Sequence, residues 1–308
     1  MAERARSTAE RAKPKAATPP TLRREKDLAR QGARWVIGCD EVGRGAIAGP
    51  VAVGLCVVDL SKRTPRGLRD SKLLPEPRRV ALEPVVRRWA VSSSVGMASN
   101  AEIDEFGLSA ALGLAGARAL AALLEDGFPC SEDAVVLLDG NWDYLTPGMR
   151  AAGISERPRV TTRIKADLTC ASVSGASVLA KVARDSLMIG LHDDHPPYGW
   201  VSNKGYGSRT HWAAIDEHGA TDFHRHTWLR TPSLFDLEDE AEAVGAMEDA
   251  EFGDLDGGEG VEDLDDGEGF DGGEDEADLG DPDELPDFVE QLDPSDPRLA
   301  ATPSAPAS

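Results

Sequence analysis

Four acids stand where apolar runs end. Asp40 and Glu41 follow "WVIGC", Asp139 follows "AVVLL", and Asp167 closes "RVTTRIKAD". The first pair runs directly into Gly43, Arg44 and Gly45. Short apolar runs of this kind read as buried strands, and groups at strand ends of α/β sheets are where ligands meet the protein. Carboxylates that converge there repel one another unless cations stand between them, and hard oxygen ligands favour magnesium or manganese. Two such ions can hold the attacking and leaving oxygens of a phosphoryl displacement. Each acid taken alone reads more readily as a turn or cap residue, Asp139-Gly140-Asn141 most of all, and it is their combination that points to chemistry. No Ser-His-Asp or Cys-His arrangement points to a covalent nucleophile, so water is the expected attacker. His211, His218, His224 and His226 match no zinc spacing and read as packing and hydrogen-bonding residues.

The elements that must position these acids follow from hydropathy. Residues 35–39 and 51–58 read as strands, and the link between them is too short for a crossover helix, so they form an antiparallel pair. Residues 92–98 read as a third strand. A helix opens at Ser99 or Asn100 and continues with Ile103, Leu108, Leu112 and Leu120 at helical spacing. Residues 134–140 and 159–167 are strands ending in acids, and 168–191 is a long helix with small residues on its early surface. The alternation predicts a mixed α/β domain with no internal repeat.

The net charge of −22 averages three unlike parts. Residues 236–308 hold 28 acids and one base, Arg298, whereas residues 1–34 hold 10 bases and 4 acids. The stretch 35–235 is nearly balanced, with 22 bases and 23 acids. This predicts a disordered basic arm over 1–33, a globular body over 34–235 and a disordered acidic tail over 236–308, whose composition cannot bury enough surface to offset its entropy. The arm lacks the apolar segment of a secretory signal, and no run of membrane-spanning length is evident. Cys39, Cys56, Cys130 and Cys170 are widely spaced and read as reduced core thiols, which favours the cytoplasm. A monomer is the default.

Seven blocks, "GCDEVGRGAIAGPV", "LRDSKLL", "AEIDEFG", "VLLDGN", "IKADLTCASVSGASVLAKVARDSLM", "PPYGWVSNKGYGSRTH" and "HGATDFHRHTW", carry a family pattern across about residues 35–232. In that order they resemble bacterial ribonuclease HII, of the ribonuclease H-like superfamily of two-metal nucleases. The resemblance implies a ribonuclease H-like fold, a mixed central sheet flanked by helices. It implies that Asp40, Glu41 and Asp139 bind Mn2+ or Mg2+ and that Asp167 is the fourth catalytic carboxylate, although Ala166 replaces the family's usual glycine. It places Gly43, Arg44 and Gly45 against the sugar at an RNA–DNA junction, Tyr206 against the junction nucleotide, and Ser71, Lys72 and Lys204 among the substrate contacts. A tight turn, a half-buried tyrosine and solvated lysines are the plainer readings of these residues. Ser172 and Ser174 suit either a phosphate or close helix–sheet packing.

The activity so implied is hydrolysis of RNA in RNA–DNA hybrids and incision 5′ of a ribonucleotide embedded in duplex DNA, leaving 3′-hydroxyl and 5′-phosphate ends. A superfamily nuclease with another substrate and a non-catalytic nucleic-acid binder are the alternatives. The tail lies outside the resemblance. It reads as a solubilising extension, as a competitor for the enzyme's own positive groove, or as a docking peptide at 282–294, "PDELPDFVEQLDP", whose "QLD" resembles sliding-clamp-binding peptides.

Overall fold

The computed structural model describes residues 18–155 and 157–229. Most of the basic arm and all of the acidic tail, with its 282–294 segment, therefore lie outside the described residues.

Five strands, β1 (Trp35–Val42), β2 (Val51–Val58), β3 (Ser92–Ala98), β4 (Ala134–Asp139) and β5 (Arg159–Arg163), form one sheet in the order β3-β2-β1-β4-β5. β1 and β2 pair antiparallel, as the short connection requires, and so do β2 and β3; β1–β4 and β4–β5 are parallel. The helices are α1 (Arg23–Arg30), α2 (Glu76–Trp89), α3 (Asn100–Phe106), α4 (Leu108–Glu125), α5 (Leu145–Ala151), α6 (Ala166–Thr169), α7 (Ala171–His192), α8 (Trp200–Asn203) and α9 (Arg209–His218).

Side chains alternate across a strand, so β1 feeds two cores. Ile37 and Cys39 join Val53, Leu55, Leu112 and Leu120 under α4 and α5, while Val36 joins Cys56, Val86, Val173 and Ala176 under α2 and α7. α4 is apolar over a membrane-spanning length, but most of its surface is buried in the first core. On the second face two glycines let α7 press its backbone against the sheet. A Cβ on Gly38 would lie 2.1 Å from the Ser172 carbonyl carbon, and one on Gly54 would lie 2.4 Å from the Ala176 oxygen. That close approach brings α7 within reach of the acids.

The structure corrects four expectations. β1 runs on to Val42, so Asp40 and Glu41 lie inside the strand, opposite Gly54 and Val53, rather than just beyond it. β5 stops at Arg163. Lys165 adopts a left-handed conformation, φ 57°, and turns the chain into α6, which carries Asp167. The helix from Ser99 is broken at Gly107, whose φ of 79° leaves the helical region; Ser99 and Glu102 form a capping box at its start. Lastly, the basic arm is not free as far as residue 33. Leu22, Leu28 and Ala33 pack into the second core and bury Glu25 with them, an apolar contribution that the charge count concealed.

Candidate active site

Alternation along β1 sends its two acids to opposite faces. Asp40 shares the face of Gly38 and meets α7, where the Ser177 hydroxyl bonds to it; Ser177 in turn sits 2.8 Å from the Ser71 hydroxyl. Glu41 shares the face of Cys39 and meets Tyr144, whose hydroxyl donates to it at 3.1 Å, and Arg44 at 3.3 Å. Asp139 ends β4 and accepts the Ala166 N–H at 2.6 Å, which ties the end of one strand to the helix that follows the next. Lys72 reaches within 3.8 Å of the Asp167 carboxylate.

These groups form one electrostatic unit. Burial raises the Asp40 carboxyl well above its ordinary value, and Glu41, Asp139 and Asp167 push the same way against the Ser177 hydrogen bond. Glu41 is raised by burial and by Asp139, against Arg44 and Tyr144. Asp167 is pushed up to about 6 by burial, then by Asp139 and Asp70, with Lys72 opposing. For Lys72 burial pulls downward, and the combined field of Asp40, Asp70, Asp167 and Asp139 outweighs it. The site is thus short of positive charge, and its donors are hard carboxylate oxygens. That chemistry fits divalent cations such as Mg2+ or Mn2+. Among the described residues no three ligating side chains are already drawn together on one point. The reason is local: Asp40 Oδ1 accepts the Glu41 N–H, Asp139 Oδ1 accepts Ala166, and both Glu41 oxygens are bonded. A divalent cation held by these carboxylates would compete with these bonds.

Next to the acids, two arginines absent from the sequence expectations hold the loop: Arg225 binds the Gly43–Gly45 turn itself, and Arg184 packs against Gly43 and binds the residues that follow. Arg225 donates to the carbonyls of Gly43 (2.6 Å), Arg44 (2.8 Å) and Gly49 (3.1 Å). Arg184, fully buried on α7, donates to Pro50 (2.7 Å), Ala48 (3.0 Å) and Lys204 (2.9 Å). Gly43 has φ 89°, and a Cβ there would lie 2.2 Å from Arg184 Nε. Gly45 differs: its φ is ordinary and a Cβ would meet nothing within 4 Å. The fold gives Gly45 no packing reason to be glycine.

Tyr206 is brought to this turn by a bridge to Ala46 and by the Ile47 N–H bond to Gly205. Lys181 and Arg184 stand 5.4 and 5.5 Å from its ring centroid. Its carbonyl accepts from His211 Nδ1 at 2.9 Å; His211 Nε2 then accepts from Trp200 and from His224 Nε2, each at 3.1 Å. His211 and His224 are therefore packing residues that hold the backbone of Tyr206, while His218 and His226 are exposed and stand outside this network. Lys204 is not drawn to the acids: it is buried, and its ammonium pairs with Glu76 at 3.0 Å. Ser71 stands behind Asp40 rather than in the open. Ser172 and Ser174 bond inward, to Glu25 and to the carbonyls of Asp167 and Cys170, which is the packing role. Arg184 lies two helical turns beyond Ser177 on the same side of α7, and that spacing was the available signal.

A mixed sheet with α7 laid across it, and four coupled carboxylates beside a backbone-presenting turn, define a ribonuclease H-like nuclease. The family model "Ribonuclease HII" matches residues 37–231, and the chain belongs to that family. It is 47% identical over 217 residues to ribonuclease HII of Streptomyces coelicolor, covering 70% of this chain and 86% of that one. It is 38% identical over 228 residues to that of Paracoccus denitrificans, covering 72% and 98%. Among solved structures, ribonuclease H2 from Pyrococcus horikoshii superposes with a TM-score of 0.50 at 26% identity, over 63% of this chain and 93% of that one. Ribonuclease HII in the PCNA:RNase HII complex from Archaeoglobus fulgidus gives 0.50 at 24%, over 65% and 98%, a likeness of fold alone. The protein is accordingly an endoribonuclease of the ribonuclease H type, acting on RNA in RNA–DNA hybrids.

Proposed function

We propose that this ribonuclease also incises duplex DNA on the 5′ side of a single embedded ribonucleotide, leaving 3′-hydroxyl and 5′-phosphate ends, in ribonucleotide removal during replication and repair. The observation that carries this is Gly45. It is exposed and unstrained, and a side chain there would meet nothing, yet it lies in a turn that Arg225 pins and Arg184 packs against, beside Glu41 and Tyr206. A turn without side chains lets backbone groups reach a ribose 2′-hydroxyl, the group that distinguishes RNA from DNA. A nuclease of continuous hybrids has less need of such a single-sugar reader.

In this reading Asp40, Glu41 and Asp139 hold Mg2+ or Mn2+, and Asp167 completes the carboxylate set. The bound metal supplies a nucleophilic water and neutralises charge at the phosphate. The chain's own groups do the rest. Gly43, Arg44 and Gly45 face the sugar, Tyr206 packs on the junction nucleotide, and Lys72 takes a neighbouring phosphate. The test uses three duplexes, one all-DNA, one with a single ribonucleotide and one RNA–DNA hybrid, with Mn2+ or Mg2+. Cleavage of the hybrid alone overturns the proposal, cutting of the all-DNA duplex favours a different superfamily substrate, and binding without cutting makes the chain a non-catalytic binder.

The four buried free thiols support a cytoplasmic setting, and we take the working unit to be a monomer. The Archaeoglobus relative is solved with PCNA; in this chain residues 282–294 are where a sliding clamp would be met. A clamp pull-down with that peptide tests the contact.

A further inference from the structure

Asp167 is delivered by a piece of helix that cannot hold itself. α6 has four residues, between left-handed Lys165 and extended Cys170, and a single turn is not stable alone. The following helix has the complementary defect. α7 is 22 residues long, but its N-cap, Cys170, makes no side-chain bond to the free N–H groups of the first turn.

One segment from the other end of the chain corrects both. The Thr21 N–H donates to the Thr169 carbonyl at 3.1 Å, the Thr21 carbonyl accepts from Ala171 N–H at 3.0 Å, and Thr21 and Cys170 form a parallel bridge. One turn further on, Glu25 is wholly buried, and its Oε1 accepts both the N–H and the hydroxyl of Ser172 at 2.8 Å. Glu25 is thus the cap that α7 lacks, supplied by α1. Its other oxygen is buried with no hydrogen-bond partner among the described residues, and burial raises the carboxyl's pKa against the Ser172 bonds. An apolar side chain beside Leu22 and Leu28 would avoid that desolvation cost. What the carboxylate supplies instead is a fixed direction for the first turn of α7. The same turn carries Ser174, which donates to the Asp167 carbonyl, and the next carries Ser177, which bonds Asp40.

We propose that Glu25 is a positioning residue for the reaction: from α1 it clamps the α6–α7 junction and so sets where Asp167 and Asp40 stand. The inference rests on Asp167 being one of the catalytic carboxylates. It extends the working catalytic body upstream of residue 37, where the family match begins.

The test uses the full chain with Glu25→Ala, Glu25→Gln and Ser172→Ala. Glu25→Ala is expected to lower kcat on the ribonucleotide-containing duplex about tenfold or more, a size consistent with losing a buried charge-assisted pair of bonds. KM for the duplex stays within about twofold, because duplex affinity comes from phosphate contacts elsewhere. Glu25→Gln keeps an acceptor for Ser172 and restores most of kcat. Amide hydrogen exchange over 166–173 quickens in Glu25→Ala and not in Glu25→Gln. An unchanged kcat in folded Glu25→Ala overturns the proposal, as does a parallel loss in kcat and duplex affinity that glutamine does not rescue. Should Glu25→Ala fail to fold, Ser172→Ala removes only the hydroxyl bond and is expected to lower kcat severalfold at constant KM; no change there overturns the proposal equally. Asp167→Asn is run alongside. If that variant remains active, the assignment of Asp167 itself fails, whatever Glu25 does.

Discussion

At the scale of single residues, the site separates groups that the fold needs from groups that only the reaction needs. On the proposed reading Asp139 serves the reaction, although its bond to Ala166 N–H also ties β4 to α6. Its carboxylate adds repulsion to Asp167 and accepts the Ala166 N–H. Asp139→Asn is expected to abolish cleavage while duplex binding holds or tightens, since one anion fewer faces the phosphate. Near-normal turnover at low manganese, measured beside duplex affinity, would sink the two-metal assignment. The two glycines of the turn make a sharper contrast. Gly43→Ala meets both a left-handed φ and the Arg184 guanidinium, and should cost on the order of 3 kcal/mol of stability. Gly45→Ala meets nothing, so its stability should stay within about 0.5 kcal/mol. Incision at a single ribonucleotide should nevertheless fall at least tenfold if backbone there approaches the sugar. Chemical denaturation and single-turnover assays on both variants check this, and an unchanged incision rate for Gly45→Ala removes the observation on which the ribose reading stands.

At the scale of elements, the end of the described chain works as a brace. α8, α9 and the segment around Phe223–Arg225 clasp a cluster of Tyr198, Trp200, His211 and His224, and through His211 they hold the backbone of Tyr206. Neutral imidazoles satisfy this network. His224 Nδ1 accepts from the Thr221 N–H, and its Nε2 donates to His211. Burial, followed by the neighbouring His211, lowers His224 to about 4, and burial lowers His211 as well. The unfolded chain therefore takes up a proton near pH 6.5 that the folded one refuses. This contribution to stability is complete above about pH 6.5 and is lost as the pH falls toward 4. The raised carboxyls Asp40 and Asp167 act in the opposite sense over an overlapping range. The measurement is accordingly a difference: melting of wild type against His224→Gln at pH 7.5, 6 and 5. The gap between the two should narrow as the pH drops, and a constant gap would show that His224 does not titrate in this way.

At the scale of the whole molecule, charge is segregated. Residues 236–308 carry 28 acids and a single base beside a nearly neutral body. A polyanion tethered to an enzyme that binds phosphate is a competitor at high effective concentration. Truncation after Pro232 is expected to tighten duplex binding at low salt, with the gain shrinking as salt screens the charges. Titrations of both forms at two ionic strengths decide the matter. Equal affinities of the two forms at each ionic strength would leave solubility and clamp docking as the roles of the tail.

The pairing of β1 with β2 and the positions of four strands were legible in the sequence, because each depends on local pattern: apolar runs and short links. The family blocks added the turn and Tyr206. What the sequence could not show is held by contacts between distant residues. The extension of β1 through Asp40 and Glu41 is set by pairing with β2, not by hydropathy, since acids interrupt an apolar run. Asp167 leaves its strand because Lys165 turns left-handed, which no nearby glycine announced. Arg184 and Arg225 look like surface bases until the carbonyls they satisfy, more than 130 positions away for Pro50, fold around them. Glu25 was hidden in a run of basic residues. Only tertiary structure decides that this one carboxylate is buried, because its partner, Ser172, lies 147 residues along the chain and reaches it only once α1 has packed on α7.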